Sequence, residues 1–162
     1  MTILISDNLR TAICEQIAHE KHNSNLYMYM CGFLRNKGLD NLAKEFEHQH
    51  QEEFEHSIDF FNLLTDMNAD VSIPEIDEIN VKFNTIVELA EAYLNQEILT
   101  TTSINQIKKL AIDEDNPVVE EYMREMIRKQ LVEYAEATSF LDNALLCGDD
   151  WWKCKAWNDS IG

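Results

Sequence analysis

The stretch MNADVSIPEIDEINV, residues 67–81, lacks helical periodicity and lies between two segments whose apolar residues recur at helical spacing. Pro74 near its centre excludes a regular helix, because proline has no backbone N–H to donate. The fifteen residues, if extended, span about 50 Å at ~3.3 Å per residue. A helix as long as the preceding segment, 39–66, measures about 42 Å. The stretch therefore predicts a crossover that runs the full length of a helical bundle.

Four long segments carry apolar residues at helical spacing, and no segment shows sustained strand alternation. We predict helices over 7–36, 39–66, 82–112 and 117–146. Tight links join the first pair at NKGLD, where Gly38 supplies the turn, and the second pair at DEDNP, which ends in Pro117. Two tight links and one long crossover between helices two and three predict an all-α four-helix bundle.

Composition limits the chain to one domain and to certain partners. Its 162 residues suit a single bundle over 1–148, followed by a short C-terminal tail or stub helix over 149–162. The 13 basic and 30 acidic residues give a net charge of −17. Such a charge disfavours nucleic acid and anionic membranes and favours cations. We expect neither a nucleic-acid nor a membrane partner.

The cellular location follows from what the sequence contains at its ends and at its cysteines. The N-terminal MTILISDNLR lacks the basic and apolar regions of a signal peptide, and no apolar run approaches ~18 residues. The cysteines, at 14, 31, 147 and 154, form no CxxC pair. We therefore predict a cytoplasmic protein with free thiols.

Each predicted helix has one apolar stripe, and a carboxylate interrupts each stripe near the middle of its helix. The interrupting residues are Glu20, Glu53, Glu97 and Glu133. Residues at mid-helix meet at one level of a bundle whichever way each helix runs, and no stripe contains Lys or Arg. Buried carboxylates without a positive partner are costly. Two divalent cations would balance the four charges.

The segment HQHQEEFEH, residues 48–56, is the richest in metal-ligand types. Two Glu-x-x-His pairs overlap around it, Glu47/His50 and Glu53/His56. Only the second pair lies on the apolar stripe, which is formed by Leu42, Phe46, Phe60 and Leu63. We therefore predict that Glu53 and His56 point inward, and we expect His19, His22, His48 and His50 at the surface.

Six inward polar residues result: Glu20, Glu53, His56, Glu97, Gln130 and Glu133. A single glutamate on an apolar stripe is ordinarily a partly exposed side chain. Four at one level, with a histidine and a glutamine, favour a metal site instead. Oxygen ligands with one imidazole and no thiolate suit iron or manganese better than copper(I) or structural zinc. We also expect the Tyr27 hydroxyl to hydrogen-bond a ligand carboxylate.

These residues and their order resemble those of a non-haem ferritin of the prokaryotic type, within the ferritin-like di-iron family. The resemblance extends through Gly148 and rests on one motif from each helix: EQIAHEKHNSNLYMYM (15–30), QEEFEH (51–56), YLNQEILTTTSINQI (93–107) and RKQLVEY (128–134). It implies a ferritin-like four-helix bundle. It also implies a homo-oligomer that forms a cage of 24 subunits.

The resemblance further implies a ferroxidase and an iron store. Two Fe ions per subunit would bind, be oxidised by dioxygen, and leave as ferric mineral for the shell interior. Metal site A would comprise Glu20, Glu53 and His56. Metal site B would comprise Glu53, Glu97 and Glu133, with Gln130 as a weak ligand or hydrogen-bond donor and Tyr27 nearby. Two alternatives stay open: a non-storage di-iron redox or peroxide-scavenging enzyme, and a non-catalytic helical or metal-buffering protein.

Departures from related families refine this expectation. Gln130-x-x-Glu133 stands where bacterioferritins and rubrerythrin-like proteins carry a second Glu-x-x-His. Phe54 occupies the position of the bacterioferritin haem methionine, so we predict no haem. Glu52 fits the pattern of a third iron site, but Lys129 and Val132 replace the further acids, which argues against that site.

Two surface features have open interpretations. Glu120 and Glu121 are candidates for an iron entry channel or, equally, a solvated helix N-terminus. The tail carries Trp151, Trp152 and Trp157, for which we favour a subunit contact over packing on the chain's own bundle. Whether the tail lines a fourfold axis is left open.

Overall fold

The computed structural model describes residues 4–162 and contains five α-helices in this part of the chain. They are α1 (Asp7–Asn36), α2 (Asp40–Asp66), α3 (Ile86–Asp113), α4 (Pro117–Cys147) and α5 (Trp151–Ser160). The first four form the predicted bundle, and the predicted crossover connects α2 to α3 without regular structure. The predicted fold class is confirmed. Among the described helices, none is long and apolar enough to cross a membrane.

Local capping residues fix most helix starts. Ser6 accepts a hydrogen bond from the backbone N–H of Leu9, and Asn116 caps α4 ahead of Pro117. The predicted start of α3 at residue 82 was wrong by four residues. Thr85 has extended backbone dihedrals and accepts from the N–H of Glu88, so α3 begins at Ile86. Residues 82–85 prolong the crossover instead.

Two apolar clusters fill the two ends of the bundle. One contains Tyr27, Leu34, Phe46, Tyr93 and Phe140. The other gathers the start of α1 and α4 and the end of α2 and α3, through residues such as Leu9, Phe60, Ile104 and Met123. α2 and α3 therefore run parallel to each other and antiparallel to α1 and α4. The polar middle of the bundle lies between the two clusters.

The C-terminal helix packs on the end of the bundle. Trp151 and Trp157 contact the first apolar cluster, where the rings of Phe140 and Trp157 lie 5.0 Å apart. For these two tryptophans, packing on the chain's own bundle replaces the interpretation that we favoured. Trp152 alone is 85% exposed, so a subunit contact stays a prediction for Trp152. The four cysteines are all buried and free.

Candidate metal centre

The six predicted inward residues come from all four long helices. Their spacing on each apolar stripe turns them toward the bundle axis, as it does for their apolar neighbours. Glu20, Glu53 and Glu97 are fully buried, and His56, the most accessible of the six, is 9% exposed. The others are Gln130 and Glu133, both buried on α4.

The ligand atoms of these residues form two groups that share one glutamate. Glu20, Glu53 and His56 offer one ligand atom each, all within 4.8 Å of one another. Glu53, Glu97 and Glu133 form a second group with the same property. A carboxylate common to two such groups is suited to bridging two cations. The ligand roles of all six residues stay a prediction.

Many buried atoms of the centre have no hydrogen-bond partner. They are Glu20 Oε2, both carboxylate oxygens of Glu53, His56 Nδ1, Gln130 Oε1 and Glu133 Oε2. Within residues 4–162 no lysine or arginine is buried, and none forms an ion pair with these acids. Buried polar atoms are ordinarily paired. The unpaired carboxylates and the imidazole fit one or two divalent cations with oxygen-rich ligation.

The acids of the centre bind protons tightly for the same reason. Burial, with a smaller contribution from the charges of Glu97 and Glu133, raises the pKa of Glu53 to about 8, although the neighbouring Glu20 side chain lowers it in part. Burial, then contact with Glu52, raises the pKa of Glu133 to about 9. Burial also raises the pKa values of Glu20 and Glu97. A divalent cation would displace these protons.

Glu97 differs from the other acids because both of its oxygens are occupied. The Tyr27 hydroxyl donates to Glu97 Oε1, and Gln130 Nε2 donates to Glu97 Oε2 at 3.0 Å. Tyr27 is fully buried, and its ring packs edge-on against Tyr93 at 5.4 Å. Tyr27 and Gln130 therefore orient this carboxylate from two sides.

Sequence reasoning missed a similar arrangement at Glu20. Gln16 Nε2 donates to Glu20 Oε1 at 3.0 Å, and Ser103 of α3 donates to Gln16 Oε1 at 2.8 Å. Gln16 is itself buried on the apolar stripe of α1, four residues before Glu20. A buried amide one helical turn from a buried acid was the available signal. Ser103 gave none, because it lies on another helix.

Three of the four histidines expected at the surface are partly buried and contact other segments of the chain. His19 Nε2 lies 2.7 Å from Thr100 Oγ1, and His50 Nδ1 lies 2.7 Å from Ser24 Oγ, so both histidines join neighbouring helices. Burial, then the charge of His22, lowers the pKa of His19 to about 4. His48 is exposed, as expected. His22 is partly buried and contacts the crossover at the backbone carbonyl of Asp77.

The three residues considered above for a third iron site border a groove of about 330 Å³ that reaches the centre. Glu52, Lys129 and Val132 line this groove together with His56 and Glu133. The candidate entry-channel residues lie elsewhere, in the first turns of α4. There Glu120 pairs with Arg124 at 2.8 Å, and Glu121 contacts Arg124 at 3.7 Å.

The chain is similar to known proteins over most of its length. Residues 10–146 match the family model described as the Ferritin-like domain. The chain is 25% identical over 146 residues to a Bacterial non-heme ferritin of Bacteroides fragilis, covering 90% of this chain and 92% of the relative. It is 30% identical over 129 residues to Ferritin BfrB of Mycolicibacterium smegmatis, covering 80% and 71%.

A solved structure gives the same architecture. The chain superposes with a TM-score of 0.93 on a novel open pore ferritin from the hyperthermophilic archaeon Archaeoglobus fulgidus. The match covers 99% of this chain and 98% of the other, with 20% sequence identity. At that identity the likeness concerns the fold alone.

Proposed function

Because the chain belongs to the Ferritin-like domain family, we propose that it stores iron, oxidising Fe(II) with dioxygen at the candidate metal centre in the middle of the four-helix bundle. Ferric product would then collect as mineral inside a hollow shell of 24 identical subunits. The proposal makes iron the substrate and the cargo of the protein. It places the activity in the cytoplasm, as expected from the sequence.

One observation carries the ferroxidase part of the proposal. Two groups of buried ligand atoms share Glu53, and four of the buried carboxylate oxygens of these glutamates have no donor. This arrangement supports the binding of two ferrous ions, one with Glu20, Glu53 and His56, the other with Glu53, Glu97 and Glu133. A structural role for such acids would require partners that the described residues do not supply.

The ligand set also suits the direction of the reaction. Anionic oxygens stabilise Fe(III) more than Fe(II), because the higher charge gains more from hard ligands. Two ferrous ions release two electrons, which with two protons reduce one dioxygen molecule to hydrogen peroxide. Tyr27 and Gln130 hold Glu97 in place while the charge on the metals changes.

The storage part of the proposal rests on the family and on charge. Relatives that the chain matches over most of its length carry the name ferritin. A formal charge of −17 per subunit favours cation uptake and retention. The non-storage alternative, a di-iron redox or peroxide-scavenging enzyme, shares the centre but needs no shell.

Stopped-flow oxidation of Fe(II) tests the centre. We expect ferric absorbance to rise and dioxygen to be consumed at least tenfold more slowly in Glu53→Ala and His56→Ala than in the parent. His48→Ala removes an exposed histidine of the same helix and should leave the rate unchanged. Equal rates in all four proteins would refute the assignment. Faster oxidation with hydrogen peroxide than with dioxygen would favour the scavenging alternative.

A further inference from the structure

A second polar layer lies one helical turn from the candidate metal centre. Gln49 precedes Glu53 by four residues on α2, and Tyr93 precedes Glu97 by four residues on α3. Glu136 follows Glu133 by three residues on α4. Because α4 runs antiparallel to α2 and α3, all three displacements go the same way along the bundle.

Two members of this layer are joined by a hydrogen bond, and a further glutamate lies near them. Gln49 Nε2 donates to Glu136 Oε2 at 3.0 Å. Glu45, one more turn along α2, is close to both Glu136 and Tyr93. Burial, then the charge of Glu136, raises the pKa of Glu45, and the nearby His48 and Tyr93 side chains lower it. Two acids thus line one groove, with an amide and a phenol near them.

Two buried polar atoms of the layer have no partner. Gln49 and Tyr93 are both fully buried, and neither Gln49 Oε1 nor the Tyr93 hydroxyl completes a hydrogen bond. An ionised carboxylate only accepts, so the Gln49 amide must turn its nitrogen to Glu136, which leaves its oxygen without a donor. Within the described chain, neither Glu45 nor Glu136 pairs with a lysine or arginine. The two acids therefore have no lysine or arginine partner within residues 4–162.

Cations can reach this layer from outside the bundle. Glu45 and Glu136 both line a groove of about 600 Å³ between α2 and α4, whose apolar wall includes Leu42, Phe140 and Trp157. The groove that holds Glu52 and Lys129 is a separate one. The second layer is thus open to solvent on one side and adjoins the candidate metal centre on the other.

We propose that Glu45, Gln49 and Glu136 form a third cation site, which takes a divalent cation through oxygen ligands, with the Tyr93 hydroxyl as a further contact. Two carboxylates and an amide oxygen are hard ligands of the kind that Mn(II), Fe(II) and Mg(II) prefer. The site holds cations one helical turn from the centre, on the side of Glu133. This proposal goes beyond the proposed function, and cation binding here does not depend on iron oxidation.

Anomalous scattering from crystals of the full chain soaked in Mn(II) tests the proposal, with equilibrium dialysis of Mn(II) in solution. We expect a manganese peak between Glu45 and Glu136 in the parent, in addition to metal at the centre. Glu136→Gln and Glu45→Gln should lose this peak and bind the corresponding Mn(II) about tenfold or more weakly. Glu91→Gln removes an exposed acid of α3 and should keep the peak.

The outcomes separate this proposal from the proposed function. Ordered water in place of manganese in the parent, or an unchanged peak in Glu136→Gln, would overturn the third site. Glu53→Gln should weaken metal at the centre and leave the third peak. A centre that stays empty beside an occupied third site would count against the ferroxidase proposal and not against this one. Matching circular dichroism and melting temperatures establish that each variant folds.

Discussion

At the scale of the residue, the glutamates of the centre differ in how many hydrogen-bond donors their neighbours supply. Glu97 has donors on both oxygens, Glu20 has one, and Glu53 has none. The number of donors orders the acids by how firmly the protein fixes them before a cation binds. Glu53, which both ligand groups share, is held least by the protein, and in the proposed function it would depend most on the cation.

The Gln16 side chain should determine how well the Glu20 side of the centre binds metal. Gln16→Met keeps the length of the side chain and removes the donor to Glu20 Oε1. Because partners that orient metal ligands commonly contribute 10- to 100-fold in affinity, we expect Co(II) binding at one of two positions to weaken about tenfold. Titration followed by visible absorption measures each position separately.

Ser103 offers a matched control for this prediction, because it orients the Gln16 amide through one hydroxyl. Ser103→Thr keeps the hydroxyl and should retain most of the affinity. Ser103→Val introduces a side chain of nearly the same volume as threonine but without the hydroxyl, and it should behave like Gln16→Met. Equal weakening at both Co(II) positions, or equal effects of Thr and Val, would show that packing and not orientation is responsible.

Stability of the metal-free protein should depend on pH through the acids of the centre. The folded-state pKa of Glu53 is raised from 4.5 to about 8, and that of Glu133 from 4.5 to about 9. An acid with a raised pKa contributes its full stability below its unfolded value and loses it as pH rises through its folded value. The metal-free melting temperature should therefore fall by about 5 °C or more between pH 5 and pH 9.

Stabilisation by a divalent metal should increase with pH, opposite to the trend of the metal-free protein, because ligand carboxylates bind metal only when deprotonated. We expect the rise in melting temperature on adding Mn(II) to grow from pH 5 to pH 8. Glu53→Gln removes one of the titrating acids and should flatten both curves. A metal-free protein that is most stable at pH 9 would contradict the burial of ionisable acids at the centre.

At the scale of the element, local sequence predicted what local interactions decide. The starts and ends of α1, α2 and α4 lie within one residue of their predicted positions. The start of α3 was missed because Thr85 ends the crossover with a capping bond that apolar spacing does not reveal. The polar stripe residues of the centre were predictable because spacing alone turns them inward. Partners from distant segments, such as Ser103 or Glu136, were not.

The docking of α5 on α2 is an interaction of that distant kind. α2 begins after Leu39, which supplies no side-chain cap. Asn158 of α5 takes over this role, since its Oδ1 accepts from the backbone N–H groups of Asn41 at 2.8 Å and Leu42 at 2.9 Å. The C-terminal helix thus caps a helix that begins more than a hundred residues earlier.

We expect Asn158→Ala to destabilise the protein by about 0.5–2 kcal/mol, the usual effect of losing an N-cap. Thermal unfolding measures the loss, and hydrogen exchange at Asn41 and Leu42 locates it. Asn158→Asp keeps the acceptor and places a negative charge at the positive end of α2, so it should retain most of the stability. Rapid exchange confined to α5, with Asn41 and Leu42 still protected, would contradict the capping role.

At the scale of the whole molecule, the two apolar clusters explain how the bundle tolerates a polar middle. Each end of the bundle has its own packed cluster of aliphatic and aromatic side chains, so neither end relies on the centre for its contacts. The centre can then keep unpaired acids ready for cations. Removing one acid should change metal binding far more than it changes the fold.

The two most exposed of the large apolar side chains in the described part of the chain lie near its C-terminal end. Trp152 is 85% exposed and Leu146 is 78% exposed, on the last residues of α4 and the first of α5. Large apolar side chains with so much exposed surface are typical of a contact with another protein. In the proposed storage function, that partner is a second copy of this chain within the shell.

Light scattering with size-exclusion chromatography should therefore give a particle of about 454 kDa, which is 24 subunits of 18.9 kDa each. Trp152→Glu places a charge in the expected contact and should shift the protein to smaller species, since burial of apolar surface contributes about 25 cal/mol per Å². Lys153→Glu alters the neighbouring exposed residue without removing apolar surface, and it should assemble like the parent. A parent protein that is dimeric at all concentrations would rule out storage in a closed shell and favour the di-iron enzyme. A 24-subunit particle that forms equally well with Trp152→Glu would support the shell and show that the tail is not the subunit contact.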